Sequence, residues 1–538
     1  MIFQLVLVLC LVAKVLSSDV KLDVDTTYGT VRGHTTERLG PQVREWKGIP
    51  FASPPVGDLR WEYPTLPSKF NEVYEANIDV VGCQQTCKLP PGNCPDYGQS
   101  EDCLYLTVTA PLKESSDPNG YPVFFWIHGG AYTQGIGASP LYDGSQFSIN
   151  DVVVVTINYR LGALGFMASP DQKGNYGFMD QRMALQWTKD NIAGFGGDPA
   201  RVTVAGQSAG AMSVGTHMIS QGSKGLFSKA IMESNCLGMP YHTRDTAATN
   251  AEAMFKYLNC DKDDVACMKS KTVEEVLDAQ DNAVKMDRKT LFINFLPFAP
   301  MVEEGGEIPQ QPLYAFYKGE FNAMPLLVGS VHDEGVLFVN ELFTDPMSKT
   351  KYHTTIDVLF GLHKAKQIKK MYPMLPDSKD GRDAFNVLAT DLIFYCPLRN
   401  ITRGMQQTLG ADTVPVSEYR FDHVLSFDPW GPDYSFCVGK VCHGSELPFV
   451  FNVFNTKDIT YDTTADEKKL TTDISNAWAN FINSKKGDAN SPLTVPMTFP
   501  ALTPNNDEIV LLNEPGYSNV EDPRKEECDM WDTFGYFY

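Results

Sequence analysis

A serine inside a Gly-rich segment is the residue of this chain whose surroundings best suit chemistry. Ser208 lies between Gly206 and Gly210 in the segment GQSAG, after a β-forming run at 201–205 and before small, helix-compatible residues. This order predicts a strand, a sharp turn and a helix, and the glycines make the crowded turn possible. At a helix N-terminus, free N–H groups and the helix dipole favour developing negative charge. We therefore predict that Ser208 is a nucleophile rather than an incidental turn residue.

Two later segments could supply the base and the acid that a serine nucleophile needs. A hydroxyl reacts well only when a base accepts its proton and a carboxylate orients that base. His443 lies in the polar segment CHGSELPF, which we expect to follow a strand, and the segment HDEG follows a predicted strand at 325–329. Two carboxylates compete in HDEG, Asp333 and Glu334, and the residues by themselves do not decide between them.

A second Gly-rich segment could bind the negative charge that forms on a carbonyl oxygen during acyl transfer. It reads WIHGGA at 126–131 and follows a predicted buried strand. Small residues let the backbone turn so that successive N–H groups point into one space. Together with the N–H of Ala209, this segment is predicted to form an oxyanion hole.

The predicted elements that would position these residues alternate between strands and helices. Apolar β-runs occupy 24–34, 43–48, 121–128, 151–159, 325–329 and 416–424, and helical spacing occupies 180–193 and 470–483. Near-continuous apolar strands suit a mostly parallel sheet that helices cover on both faces. Chemistry in such sheets gathers at the carboxyl ends of the strands. The sequence thus predicts an α/β fold, with a large, mostly parallel central sheet flanked by helices and with Ser208 at such a strand end.

Several segments together resemble the type-B carboxylesterases, the cholinesterase and carboxylesterase branch of the α/β-hydrolases. The segments are GIPFA at 48–52, PPVG at 54–57, LRW at 59–61, SEDCLYL at 100–106, HGGA at 128–131, NYRLG at 158–162, DQRMAL at 180–185, GQSAG at 206–210, HDEG at 332–335 and CHGSELPF at 442–449. They spread from about residue 28 to the C-terminus. The resemblance implies an α/β-hydrolase fold and hydrolysis of carboxylic esters through an acyl-enzyme, with neither a metal nor an organic cofactor.

The resemblance also assigns roles to particular residues. It implies a catalytic triad of Ser208, Glu334 and His443, and so it favours Glu334 over Asp333 as the acid. The implied oxyanion donors are the N–H groups of Gly130, Ala131 and Ala209. The implied structural ion pairs are Arg60 with Glu101 and Arg160 with Asp180.

Two departures from the cholinesterase pattern separate this chain from that group. Cholinesterases place a glutamate before the nucleophile, where this chain has Gln207. They also place a cation-binding tryptophan near the position of Asn93, but no tryptophan occurs between Trp61 and Trp126. The aromatic cradle for choline is therefore absent from its usual place, and we do not predict a cholinesterase.

Twelve cysteines indicate an oxidising compartment. Spacing suggests the local loops Cys87–Cys94, Cys260–Cys267 and Cys437–Cys442 but cannot establish the connectivity. The resemblance implies disulfides Cys83–Cys103, Cys260–Cys267 and Cys396–Cys528. It leaves Cys87–Cys94 and Cys437–Cys442 as additional loops and Cys236 as a free thiol. No C-x₂-C pair supports a zinc site, and no metal is predicted.

The N-terminal apolar run at 1–18 predicts a signal peptide, with an N-terminal membrane anchor as the alternative. No linker, repeat or charge block divides the remainder, so 19–538 is predicted to form a single α/β-hydrolase domain. One glycosylation sequon starts at Asn400. We expect a protein of the secretory pathway, either secreted or held in the lumen of a vesicle or lysosome-like compartment.

The charge of the chain bears on its partners. A net charge of −21 argues against nucleic acid and anionic membranes. No run outside the N-terminus approaches the roughly 20 apolar residues that a membrane span needs. The expected partner is a small-molecule ester, and the oligomeric state stays open.

Two other functions remain open at this point. The first is a catalytically silent binding or storage protein, which the presence of all three triad residues disfavours. The second is a lipase whose Pro- and Gly-rich segment at 83–103 serves as a lid. That segment lacks the pattern of a strongly amphipathic helix, so an ordinary esterase is the favoured hypothesis.

Overall fold

The computed structural model of the chain describes residues 20–37, 40–284, 291–409, 414–454, 460–484, 499–503, 506–514 and 516–536. The predicted signal peptide at 1–18 lies outside the described residues. Within them, no helix combines the length and the apolar character needed to cross a membrane.

Strands and helices are numbered here in chain order. The strands are β1 Asp23–Thr26, β2 Gly29–Arg32, β3 His34–Thr36, β4 Val43–Pro50, β5 Tyr74–Glu75, β6 Gly82–Cys83, β7 Gln99–Ser100, β8 Tyr105–Pro111, β9 Tyr121–Ile127, β10 Val153–Ile157, β11 Gly197–Gln207, β12 Lys229–Glu233, β13 His242–Thr243, β14 Met301–Val302, β15 Leu326–Val331, β16 Val416–Phe421, β17 Glu508–Asn513 and β18 Gly516–Glu521. The α-helices are α1 Ser145–Ser148, α2 Gly162–Phe166, α3 Tyr176–Asn191, α4 Ala209–Ile219, α5 Arg244–Tyr257, α6 Val265–Lys269, α7 Val273–Ala283, α8 Pro312–Lys318, α9 Glu334–Leu342, α10 Lys349–Met371, α11 Arg382–Ala389, α12 Cys396–Leu409, α13 Leu447–Phe451, α14 Ala465–Asn483 and α15 Lys525–Phe534. Short 3₁₀ turns occupy Gly57–Leu59, Pro140–Tyr142, Ile192–Phe195, Gln221–Ser223 and Pro432–Cys437, and a π-helical turn occupies Thr390–Tyr395.

Eleven of the described strands form one sheet, in the order β18-β17-β16-β15-β12-β11-β9-β10-β8-β4-β3. The strands from β17 to β10 in that order are parallel to one another. Antiparallel pairs lie only toward the two ends of this sheet. This topology confirms the predicted α/β class with a large, mostly parallel sheet.

Strand β9 shows why the central strands read as continuous apolar runs. Every residue of β9 is buried, and successive side chains point to opposite faces of the sheet. Val123 and Phe125 join the core that includes residues of α3 and α4, whereas Phe124 and Trp126 join the core that includes α13 and α14. The ring of Trp126 meets that of Phe451 edge-on at 4.9 Å between centroids. Because both faces are covered, the strand needs no polar face.

A capping box begins α14, the long helix on the second face of the sheet. The Thr464 hydroxyl accepts from the Glu467 N–H, and the Glu467 carboxylate accepts from the Thr464 N–H. The same carboxylate also accepts from Ser426 and from His423 Nε2 at 3.0 Å. Burial would raise the pKa of Glu467, but these hydrogen bonds outweigh it and lower the pKa to about 2. The grouping of His423, Glu467 and Glu514 is therefore explained as a helix cap.

The His443 segment follows a strand, as expected, but at some distance along the chain. The nearest preceding strand, β16, ends at Phe421. A turn at Pro432–Cys437 and an isolated parallel bridge between Asp333 and Cys442 position the segment instead. A single bridge between distant segments leaves no periodic signal in the sequence.

Five disulfide bonds hold the described chain together, and these pairs are Cys83–Cys103, Cys87–Cys94, Cys260–Cys267, Cys396–Cys528 and Cys437–Cys442. They are the pairs named in the sequence analysis. Cys236 is a buried free thiol. The Cys396–Cys528 bond joins α12 to α15 across 132 residues of sequence.

Replacing Cys396 and Cys528 with serine is expected to lower the free energy of unfolding by about 5 kcal/mol, because a bond across a long loop strongly restricts the unfolded chain. The same replacement of Cys260 and Cys267, which close a short loop, is expected to lower it by about 2.5 kcal/mol. Urea unfolding of the two double variants and the wild type measures both losses. An equal or smaller loss for the long loop would contradict the expectation.

Candidate active site

Strand ends of the central sheet bring the candidate residues to one edge. Register pairs Gly206 of β11 with Ile127 of β9, and Gln207 with Glu233 of β12. The next strand, β15, pairs with β12 up to Gly329 and ends shortly before α9. The segments HGGA, GQSAG and HDEG therefore leave the sheet side by side, as expected at the carboxyl ends of parallel strands.

Ser208 occupies the sharp turn between β11 and α4. Its backbone has φ 60° and ψ −125°, a conformation that L residues rarely adopt, and its N–H donates to the carbonyl oxygen of Glu233 at 3.0 Å. A Cβ on Gly206 would lie 2.6 Å from the carbonyl oxygen of Ile127, and a Cβ on Gly210 would lie 2.0 Å from the same oxygen. The two glycines are therefore required by the close approach of β9.

A short hydrogen bond joins the predicted base to the predicted acid. His443 Nδ1 lies 2.5 Å from Glu334 Oε2, and the Glu334 side chain is fully buried. The other carboxylate oxygen of Glu334 accepts from the Val331 N–H at 2.9 Å. With the proton on Nδ1, the Nε2 of His443 has a lone pair that can accept a proton.

Asp333 has a different task from that of its neighbour. One of its carboxylate oxygens accepts from the Val441 N–H at 3.0 Å, and the other lies 3.0 Å from His332 Nδ1. Burial acts to raise the pKa of Asp333, but these partners outweigh it and leave the pKa below its usual value. Asp333 thus joins the two loops and does not contact His443.

Gln207 is a contact of the candidate base that the sequence analysis missed as such. Its Nε2 lies 3.1 Å from Nε2 of His443, where an amide N–H can donate to the imidazole lone pair. No hydrogen bond joins the Ser208 hydroxyl to His443 among the described residues. Gln207 therefore occupies, in this structure, the acceptor that Ser208 would use.

The HGGA segment has the backbone that the oxyanion hypothesis needs. Gly130 has φ 103° and Ala131 has φ 56°. A Cβ on Gly130 would lie 2.0 Å from the carbonyl oxygen of Gln134. The N–H groups of Gly130 and Ala131 have no hydrogen-bond partner among the described residues. The Ala209 N–H belongs to the first turn of α4, where N–H groups lack acceptors within the helix.

Buried polar contacts hold this loop in its left-handed conformation. The hydroxyl of Tyr132, at φ 61°, lies 2.8 Å from that of Tyr241, which lies 2.8 Å from the Thr216 hydroxyl on α4. From the 83–103 segment, the Gln85 amide donates to the Gly135 carbonyl and accepts from the Gly135 N–H. The loop is thus held from two sides.

A cavity of about 390 Å³ opens onto these groups. Its walls include Ser208, His443, Gly130 and Ala131, and the 83–103 segment contributes residues 89–93. From the loops at 237–241 and 292–298, Phe295 is the one residue that contributes to these walls within the described chain. Because two disulfides lie within the 83–103 segment, its span is tightly restrained, which disfavours the lid of a lipase.

Two buried carboxyl groups behind the site are further features that the sequence analysis missed. Glu233 of β12 pairs in register with Gln207 of β11, and within the described chain its carboxylate accepts one hydrogen bond, from the Trp478 indole N–H at 2.7 Å. Burial raises the pKa of Glu233. Burial, together with the charges of Glu233 and Glu334, raises the pKa of Glu446 as well. Of these three buried acids, Glu334 is the one that contacts His443.

Comparison with known proteins agrees with this geometry. The sequence pattern that defines the carboxylesterase family matches residues 20–531. The chain belongs to the carboxylesterase family. This confirms the resemblance seen in the sequence, and membership places the chain among the carboxylic ester hydrolases.

Individual relatives of this carboxylesterase family member cover nearly the whole chain. The Crystal protein of Dictyostelium discoideum is 35% identical over 512 residues, which are 94% of this chain and 90% of that protein. The para-nitrobenzyl esterase of Bacillus subtilis (strain 168) is 35% identical over 498 residues, 91% of this chain and 94% of that protein. A solved structure of a PNB esterase matches with a TM-score of 0.78 at 32% identity, covering 94% of this chain and 99% of its own. These likenesses confirm the α/β-hydrolase fold.

Glu233→Gln is expected to remove part of the pH dependence of stability. Burial raises the pKa of Glu233 in the folded protein. At pH values between the ordinary pKa of a glutamate and this raised pKa, the folded state therefore binds more protons than the unfolded state. The free energy of unfolding of the wild type should therefore fall as pH rises above about 5, and the variant should lack this part of the decline.

Chemical denaturation at a series of pH values measures the two slopes. Glu304→Gln, which changes an exposed glutamate, is the matched control and should keep the slope of the wild type. An unchanged slope in Glu233→Gln would show that its carboxyl group ionises equally easily in both states.

Proposed function

We propose that this carboxylesterase hydrolyses its ester in two steps through an acyl-enzyme on Ser208. The observation that supports the proposal is the buried Glu334–His443 hydrogen bond, which lies at a cavity that also includes Ser208. A neutral imidazole with its proton on Nδ1 is the form of histidine that can act as a general base.

In the first step, Ser208 attacks the ester carbonyl while His443 accepts the hydroxyl proton at Nε2. The Gln207 amide must leave Nε2 before the Ser208 hydroxyl can donate to it, because one lone pair accepts one such hydrogen bond. The ionised Glu334 stabilises the imidazolium that forms. The imidazolium then returns the proton to the departing alcohol, and an ester bond to Ser208 remains.

The negative charge of the tetrahedral intermediate requires donors that are already in place. We assign this role to the N–H groups of Gly130, Ala131 and Ala209. Loss of one such donor costs about 3 kcal/mol of transition-state stabilisation in a well-studied hydrolase. The left-handed backbone at Gly130 and Ala131 and the buried contacts of Tyr132 support this assignment, since they hold the loop without rearrangement.

In the second step, water attacks the acyl-enzyme and the same groups act again. His443 takes a proton from the water, and the carboxylic acid leaves as the Ser208 hydroxyl recovers its proton. Every proton moves between substrate, water, Ser208 and His443, so this route uses no cofactor.

We further propose that the chain acts in the secretory pathway, as a single domain from residue 19 after loss of the 1–18 signal peptide. The five disulfide bonds suit an oxidising compartment. Glycosylation at Asn400 is part of this proposal. Because Asn400 is half-buried on α12 and its amide donates to Asp532, a glycan there would have to be attached before the chain folds.

Ser208→Ala is expected to lower kcat/KM for a short-chain p-nitrophenyl ester by at least about 10³-fold, because the nucleophile is lost. Ser445→Ala is the matched control, since Ser445 lines the same cavity and has no assigned role in proton transfer. Stoichiometric labelling by an organophosphonate should occur in the wild type and vanish in Ser208→Ala. Survival of activity within tenfold would exclude Ser208, and a wild type silent toward both reagents would favour a binding or storage protein.

Glu334→Gln is expected to lower kcat by several orders of magnitude, because the shape of the site is kept while the charge that supports the imidazolium is removed. Asp333→Asn should lower kcat far less, since Asp333 contacts Val441 and His332 rather than His443. Steady-state kinetics of the two variants separate the neighbours. If Asp333→Asn is the crippled variant, the acid is assigned to the wrong residue.

A further inference from the structure

Helix α9 begins at the candidate acid, Glu334, and one face of the helix lines the cavity. The residues of α9 that line the cavity are Leu337, Phe338, Glu341 and Leu342. Counted from Glu334, they lie at the third, fourth, seventh and eighth following positions, which is one stripe of an α-helix. Seven residues advance a helix by about 10 Å, so Glu341 lies two turns away from the acid of the triad.

Glu341 is the one carboxylate on the cavity wall, and that wall contains neither lysine nor arginine within the described chain. Its side chain is exposed to the open space of the cavity. No basic group lies within ion-pair distance of it among the described residues. The Tyr434 hydroxyl donates to the Lys88 carbonyl oxygen at 2.6 Å and also lies beside the Glu341 carboxylate, whose pKa it acts to lower, but a neutral hydroxyl supplies no positive charge. A charged oxygen pair therefore faces the cavity without a counter-ion.

Aromatic side chains line the same cavity as this carboxylate. Trp430 and Tyr434 are largely buried and line the cavity, and Phe338 lies one turn before Glu341 on α9. Aromatic faces attract cations through their quadrupole, and more strongly where water is excluded. The combination of one carboxylate and several rings favours a cationic group over an anionic or neutral one.

Two electrostatic effects act in the same direction. Partial burial raises the pKa of Glu341, although Tyr434, Lys88 and His443 act to lower it. A positively charged partner would therefore stabilise the ionised carboxylate. The net charge of −21 also raises the concentration of cations near the protein surface.

We propose that Glu341, Trp430 and Tyr434 form a subsite for a protonated amine at the far end of the ester. The inference rests on the proposed function, because Ser208 must attack the ester carbonyl while the ammonium group sits two helical turns away. The ammonium donates to the Glu341 carboxylate and lies against the rings, and the apolar linker between ester and amine crosses the uncharged part of the cavity. The preferred substrates are thus amino esters rather than plain alkyl esters.

The test compares esters that differ only in charge. In one pair the acyl chain ends in an ammonium or a methyl group, as in p-nitrophenyl 6-aminohexanoate and p-nitrophenyl heptanoate. In the other pair the alcohol carries the difference, as in 6-aminohexyl butyrate and heptyl butyrate. We expect the ratio of kcat/KM, amino over neutral, to exceed about tenfold in one pair for the wild type. Glu341→Gln should lower that ratio about tenfold, mainly through KM.

Two further variants distinguish binding at a subsite from attraction by the overall negative charge of the protein. Asp433→Asn removes an exposed negative charge beside Tyr434 that does not line the cavity, and it should leave the ratio unchanged. Glu341→Lys should reverse the preference toward an ester that ends in a carboxylate. Titration of the nucleophile with an organophosphonate shows that each variant is folded.

The outcomes distinguish the inference from the proposed function. A wild type that hydrolyses neutral esters but shows no preference for either amino ester would overturn the subsite and leave the proposed function intact. An equal fall of the ratio in Asp433→Asn and Glu341→Gln would also overturn it, since both changes would then act only through the general field. If no ester is hydrolysed, the proposed function fails. Calorimetry with hexylammonium then tests the subsite by itself. Equal affinity of hexylammonium for the wild type and for Glu341→Gln would overturn the subsite.

Discussion

The buried hydrogen bond between Glu334 and His443 is the interaction on which the site depends. Its two residues lie 109 positions apart in sequence, so only tertiary contacts bring them together. Strand β15 delivers Glu334, the Asp333–Cys442 bridge aligns the two loops, and the Cys437–Cys442 bond restrains the segment before His443. A loss of any of these supports would leave a buried carboxylate without its partner, which costs more than an exposed ion pair ever contributes.

Three buried acids near the site differ in their partners. Glu334 accepts from the Val331 N–H and contacts His443, whereas the Glu233 carboxylate accepts only from Trp478 within the described chain, and Glu446 is buried near Glu233 and Glu334. Burial disfavours the charged form of a carboxyl group, and it raises the pKa of Glu233 and of Glu446. Glu334 lies behind the imidazole, while Glu341 is the one carboxylate on the cavity wall in the part of the chain that the structure describes.

The cavity joins parts of the chain that are remote in sequence. Its walls combine the disulfide-bonded segment before β8, the HGGA loop, the lining face of α9 and the loop that contains Trp430 and Tyr434. Ser208 and His443 of the proposed triad line this cavity together with the HGGA loop. The α9 stripe and the aromatic loop contain the residues of the proposed amine subsite.

The sequence by itself determined the features that depend on local spacing. The motif around Ser208, the HGGA turn and the apolar strands follow from φ/ψ preferences and side-chain periodicity, which act over a few residues. The residues alone left Asp333 and Glu334 undecided, because adjacent side chains leave the backbone in different directions and only packing decides which one meets His443. The contact of Gln207 with His443, the burial of Glu233 and the exposure of Glu341 to the cavity were likewise decided by tertiary structure. Each depends on which distant segment packs alongside, and no spacing within one segment encodes that.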